Sequence, residues 1–180
     1  MKRILIIVTG VVALLVVAFF VLRSVTKSNS PEAVAQFEQN GFTVEVDYCR
    51  PYKKGRAIFG GLIPYGEVWR TGANEATVIK FGQDVTVVGQ PVKAGSYSLW
   101  TIPSQQGWIV IINGETGQWG TNYDAKRDVL RVPVSTRPIS PPADQFEITF
   151  VPEGNGTNML LSWDATEAVV PIRNAGGNPP

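Results

Sequence analysis

The sequence predicts a mainly β protein. It reads as an antiparallel β-sandwich or jelly-roll-like domain on one N-terminal transmembrane helix, with a short helix before the first strand. Three observations point there. Short segments of period-two hydrophobicity recur along the chain, with turn signals between them. Eighteen glycines and 13 prolines among 180 residues suit many tight turns. Residues 4–22 are apolar and carry no charge.

Taken in order, residues 1–3 form a basic cytoplasmic tail and Ile4–Leu22 the span. The 19-residue run is interrupted only by Thr9 and Gly10. As a helix it covers roughly 28 Å, about one hydrocarbon core. A cleaved signal peptide would have a shorter apolar region and a small-x-small site. Here Arg23 abuts the run and Ser24-Val25-Thr26 makes a poor site, so the segment reads as an uncleaved anchor. Two basic residues flank each end, and the short tail favours the N-terminus inside with the bulk exported.

Residues 23–41 read as a polar linker and a short helix. Ser30-Pro31-Glu32 resembles an N-cap, a proline at the first helical position and an acidic first turn, with a stop at Asn40-Gly41. Alternation begins at Phe42, Val44, Val46 and Tyr48. Further strands are expected at 77–81, 85–88, 95–102, 108–112, 129–134, 146–151, 159–163 and 168–172. Turns fall at Gly82-Gln83-Asp84, Gly89-Gln90-Pro91, Ser104–Gly107, Asn113-Gly114 and Glu153–Gly156. These strands make one domain over residues 42–173, followed by an extended tail over 174–180.

Composition excludes several chemistries. The chain has no histidine, so a Ser-His-Asp triad and His-ligated zinc or haem are ruled out. Cys49 is the single cysteine, which removes intrachain disulfides and CxxC redox pairs. Sixteen basic and 15 acidic residues give +1 overall. Four of the basic residues and none of the acidic ones lie in residues 1–27. Residues 28–180 therefore hold 12 basic and 15 acidic residues, a net of −3 that does not support nucleic-acid binding. Neither a cofactor nor a metal is expected: Asp124 and Asp128 are isolated, and no calcium-loop pattern occurs.

The stretch from Tyr48 through Phe59-Gly60-Gly61-Leu62-Ile63-Pro64 to Trp69-Arg70-Thr71-Gly72-Ala73-Asn74-Glu75 is distinctive. With Ala94–Pro103 and Gln118-Trp119-Gly120, it closely resembles the bacterial family catalogued as domain of unknown function 2911. The likeness covers residues 42–172. It implies a secreted or membrane-attached β-rich bacterial domain, and it supplies no activity. Cys49 stands where serine is expected in the motif.

Candidate ligand-binding residues are Arg50, Arg56, Glu67, Arg70, Asn74 and Glu75. In one reading Arg70 clamps a carboxylate or phosphate, with Glu67 and Glu75 as an acid/base pair. In the other the segment is a structural corner, where Arg70 pairs with Glu75 or Glu67 and Asn74 bonds backbone amides. Arg50, Lys53, Lys54 and Arg56 form a basic run that suits acidic lipid, a phosphate or an acidic partner, or is a solvated loop. Gly60-Gly61 and Gly114-x-x-Gly117-x-x-Gly120 lack the context of phosphate-binding loops and read as turns. Asn155-Gly156-Thr157 is formally a glycosylation sequon, discounted because the resemblance implies a bacterial source.

Of the five tryptophans, Trp100 and Trp108 sit in apolar strands and belong to the core. Trp119, with Tyr123 nearby, is the candidate interface anchor.

The expected function is a non-enzymatic accessory subunit in the bacterial cytoplasmic membrane. Ile4–Leu22 contacts lipid, and the exported domain docks on a larger membrane complex, with an energy-transducing (photosynthetic or respiratory) assembly as a plausible host. The alternative is an envelope ligand- or glycan-binding module or hydrolase working through Arg70, Glu67 and Glu75.

Overall fold

The computed structural model describes residues 2–176. Strands make up 55% of the chain, in two antiparallel sheets behind one N-terminal helix. The helix α1 spans Lys2–Asn29, and its apolar part has the length and hydropathy of a membrane span. Ten strands follow: β1 Glu32–Gln39, β2 Phe42–Cys49, β3 Thr77–Phe81, β4 Val85–Val87, β5 Gln90–Val92, β6 Gly95–Pro103, β7 Trp108–Asn113, β8 Asp128–Val134, β9 Thr136–Glu153 and β10 Gly156–Asn174. One sheet has the order β1-β2-β3-β6-β7-β8, the other β5-β4-β10-β9.

The segment expected to be a linker and short helix is different. α1 runs on to Asn29, and Glu32–Gln39 is a strand. The Ser-Pro-Glu signal is overridden by a period-two pattern. Ala33, Ala35 and Phe37 turn toward the core, while Val34 is 56% exposed. Asn40 and Gly41, read as a helix stop, form the hairpin turn, both with positive φ (51° and 78°). That geometry matches the twist of paired strands, and Asn-Gly satisfies it. Arg50 N–H donates to Pro31 O at 2.8 Å, tying the start of β1 to the end of β2.

Two other boundaries move. Gly89-Gln90-Pro91 was expected as a turn, but the turn is Val88-Gly89 and Gln90–Val92 is a strand. Pro91 is tolerated there because β5 is an edge strand. The two strands expected at 159–163 and 168–172 are one, β10, irregular between Ser162 and Thr166, where Asp164 has φ 52°. Of the expected tail, Asn174 ends β10, Ala175-Gly176 is a turn, and residues 177–180 lie outside the described ones.

The main core lies between the sheets. Val44, Val46, Ile79, Leu99, Val110 and Ile112 from one meet Phe146, Ile148, Leu161, Trp163, Val170 and Ile172 from the other. Trp108 is in this core as expected. Trp100 is also buried, but on the opposite face of its sheet, with Ala76 and Ile111, and with Tyr123 packed against them.

Candidate functional site

The long connection between β2 and β3, residues 50–76, is stapled to both sheets. Phe146 N–H donates to Pro51 O, Lys53 N–H to Asp144 O, and Lys53 Nζ pairs with Asp164 at 2.5 Å. Further along, Trp69 and Thr101 exchange two backbone hydrogen bonds (2.7 and 2.9 Å). Trp69 is 8% exposed and sits in an aromatic cluster. Its ring stacks on Trp163 at 5.8 Å and meets Phe146 at 5.0 Å. Its indole N–H donates to Gly72 O, and Thr71 Oγ1 bonds Thr101 Oγ1. An anchored Trp69 fixes the neighbouring Arg70.

Arg70 is half-buried and forms no hydrogen bond or ion pair among the described residues; its Nε is fully shielded and unpaired. Burial lowers its pKa, yet a guanidinium keeps its charge at neutral pH. It lies between two depressions. The larger, about 510 Å³, is walled by Arg70, Lys54 and Arg56, by Trp69 and Trp163, and by Asn29 and Ser30 at the end of α1. Among the described residues no carboxylate lines it. The smaller, about 310 Å³, shares Arg70 and Trp69 and is bounded by Glu67, Val68, Trp100 and Tyr123. Gly120 backs the Arg70 side chain: a Cβ there would stand 2.1 Å from Arg70 Cδ.

The expected pairing of Arg70 with Glu67 or Glu75 does not form. Glu67 is exposed at the smaller depression. Glu75 lies 3.9 Å from Cys49 Sγ and 3.9 Å from Lys27 Nζ, and its backbone bridges to Trp119. Asn74 sits at φ 62° with its carbonyl accepting from Gly120 N–H, and among the described residues its buried Nδ2 makes none of the expected bonds to backbone. Burial pushes the Cys49 thiol up, which leaves it a poor nucleophile.

The basic run divides. Arg50 is committed to β9, donating to Phe146 O and pairing with Glu147. Arg56 donates to the Lys53 and Tyr52 carbonyls, and Lys54 Nζ donates to Asn29 Oδ1 at 2.7 Å. Both remain exposed and face the larger depression. Lys54 was visible as part of the basic run. Trp163 and the Asn29-Ser30 wall carried no sequence signal for this role.

Trp119 is 47% exposed. Tyr123 is pinned: its hydroxyl donates to Asp128 and accepts from Arg131, both at 2.6 Å, and its ring meets Trp100 at 5.0 Å. Desolvation first, then the Asp128 carboxylate, raises its pKa to about 12. Asp124 caps the 3-10 turn Ala125–Arg127, and Asp128 accepts from Asn113 as well. Among the described residues no three metal-ligating side chains gather.

A pocket walled by cations and indoles, and lined by no carboxylate among the described residues, can hold an anion. Comparison with curated proteins and with solved structures finds no match. A family model does match, over residues 30–172, the whole span from Ser30 through the core of β10. The chain belongs to the family described as Protein of unknown function (DUF2911).

Proposed function

We propose that the protein is a non-enzymatic, membrane-tethered binding domain that captures an anion in the depression beside Arg70. α1 anchors it by a single pass in the bacterial cytoplasmic membrane, with the N-terminus inside and the β domain outside. The observation that carries the reading is the half-buried, unpartnered Arg70 guanidinium, with Lys54 and Arg56 on the same wall and no carboxylate opposite. A buried charge without a partner is costly, and an incoming anion offsets that cost. A guanidinium fork suits carboxylate or phosphate oxygens. Binding is favoured over hydrolysis because neither Glu67 nor Glu75 lines the depression that Arg70, Lys54 and Arg56 share.

The test is calorimetric titration of the full chain in detergent with inorganic phosphate and with glucuronate. Saturable binding that weakens with salt and disappears in Arg70→Gln supports the reading. Absence of saturation for both anions overturns it.

A second reading, docking on a larger membrane assembly, is favoured by the apolar side chains near the smaller depression. Leu62, Val68 and Trp119 are 47%, 37% and 47% exposed. A stoichiometric complex in native membranes that dissociates in Val68→Ser and Trp119→Ser would support it; a lone chain in both native and variant membranes would not.

A further inference from the structure

The larger depression opens where the anchor ends. Asn29, the last residue of α1, and Ser30 form part of its wall, and Lys54 bonds Asn29 directly. α1 has 28 residues, a length of about 42 Å. A bilayer with its headgroups is about 40–45 Å thick. With α1 in the proposed single pass, that length would put the wall of the depression at the outer edge of the headgroup layer.

The charge distribution is unusual for that position. Residues 28–180 carry net −3 and would be repelled by an anionic surface, yet Lys54, Arg56 and Arg70 gather at this end. Arg50 and Lys53, from the same basic run, are tied to acidic partners and do not line the depression. The cations left over are those beside the end of the anchor. An apolar wall accompanies them: Leu62, half-exposed, with Trp69 and Trp163 behind it. A phosphate on a glycerol backbone presents that combination, an anion joined to an apolar body.

We propose that this depression holds the phosphate of an anionic phospholipid drawn from the leaflet beneath it. The inference rests on the anion-binding reading and names its source. Arg70 supplies the bidentate contact, Lys54 and Arg56 close over the outer phosphate oxygens, and Leu62 lies against the glycerol end.

The experiment uses the full chain in nanodiscs of phosphatidylcholine, alone or mixed with phosphatidylglycerol. Native mass spectrometry counts retained lipid, and tryptophan emission reports on Trp69 and Trp163. The expected result is one retained phosphatidylglycerol with an emission shift in mixed discs only. Both fall roughly tenfold in Arg70→Gln and in Lys54→Gln, as the loss of one charge-assisted contact requires. Lys54 is exposed, so its variant decides the outcome even if Arg70→Gln unfolds. Glycerol phosphate added to phosphatidylcholine discs supplies the soluble arm. A shift with glycerol phosphate but no retained phosphatidylglycerol overturns the lipid source and leaves anion binding standing. No response in either arm overturns both. Equal retention by wild type and Lys54→Gln places the lipid elsewhere and overturns the inference.

Discussion

Gly120 lies flat against the side chain of Arg70, with room for no further atom: an added Cβ would stand 2.1 Å from Arg70 Cδ and 2.6 Å from the Asn74 carbonyl oxygen. Gly120 does not have a positive φ, so the requirement for glycine is steric rather than conformational. Gly120→Ala must displace the guanidinium or the Asn74 turn. It is expected to cost about 1–3 kcal/mol, as overpacking does. The urea midpoint of the detergent-solubilised chain measures this, and phosphate titration of the same sample should show weakened binding. Unchanged stability and affinity would mean that Arg70 is not held by this contact.

The Trp69–Trp163 stack supports the same site from below. Trp69→Ala leaves a void among Phe59, Trp108, Phe146 and Trp163 and is expected to cost about 3–5 kcal/mol. Trp69→Phe retains a ring but loses the bond to Gly72 O, and should cost about 1–2 kcal/mol. Equal losses in the two variants would count against packing as the main term.

Val88 occupies the left-handed region at φ 51°, a conformation that a β-branched side chain resists. Its backbone N–H is used by Pro171 O, and its side chain is only partly buried. Asparagine tolerates this φ and suits the first position of such a turn. Val88→Asn is therefore expected to raise stability by about 0.5–1 kcal/mol, the relief of strain outweighing the lost apolar contact. A lower denaturation midpoint would show that Val88 packing dominates.

Tyr123 makes a prediction for alkaline pH. Its pKa is raised from 10.0 to about 12 in the folded chain. Unfolded chains ionise first as pH rises, so the unfolded state binds fewer protons between these values and stability falls there. The contribution is fully present below pH 10 and lost as pH approaches 12. Tyr123→Phe should flatten that alkaline limb while leaving the slope between pH 6 and 9 unchanged. A limb as steep as that of the wild type would assign the effect to another group, with the buried Tyr48 the first candidate.

Much of the sheet structure was readable because strand faces alternate and glycine marks the turns. β3 was expected at 77–81 and is found there. Misreadings arose where one local signal serves two structures. Ser30-Pro31-Glu32 caps helices, yet here it precedes a strand whose inward face is two alanines and a phenylalanine, a weak alternation that only the facing β2 makes clear. Asp164-Ala165-Thr166 looked like a break between strands, but a continuous β10 absorbs it as an irregularity against β9. The site shows the same division. Arg70 stood out by residue type and context. Its lack of a carboxylate partner depends on where Glu75 turns, and the depression depends on Trp163 arriving from the far end of the chain. Neither is local, so neither was legible.

The direct passage from helix to sheet has a mechanical consequence. Only Ser30 and Pro31 separate Asn29 from Glu32, and Pro31 is itself clasped by Arg50. So short a joint leaves little chain for swivelling, and in the proposed single-pass arrangement it would hold the domain as a fixed-height standoff, offering the same end to the membrane plane. In that arrangement a distant target would be out of reach, and whatever the domain engages would have to arrive at that altitude. Inserting a few flexible residues after Asn29 would turn a gauge into a tethered float, and the protein would lose its sense of level before it lost its fold.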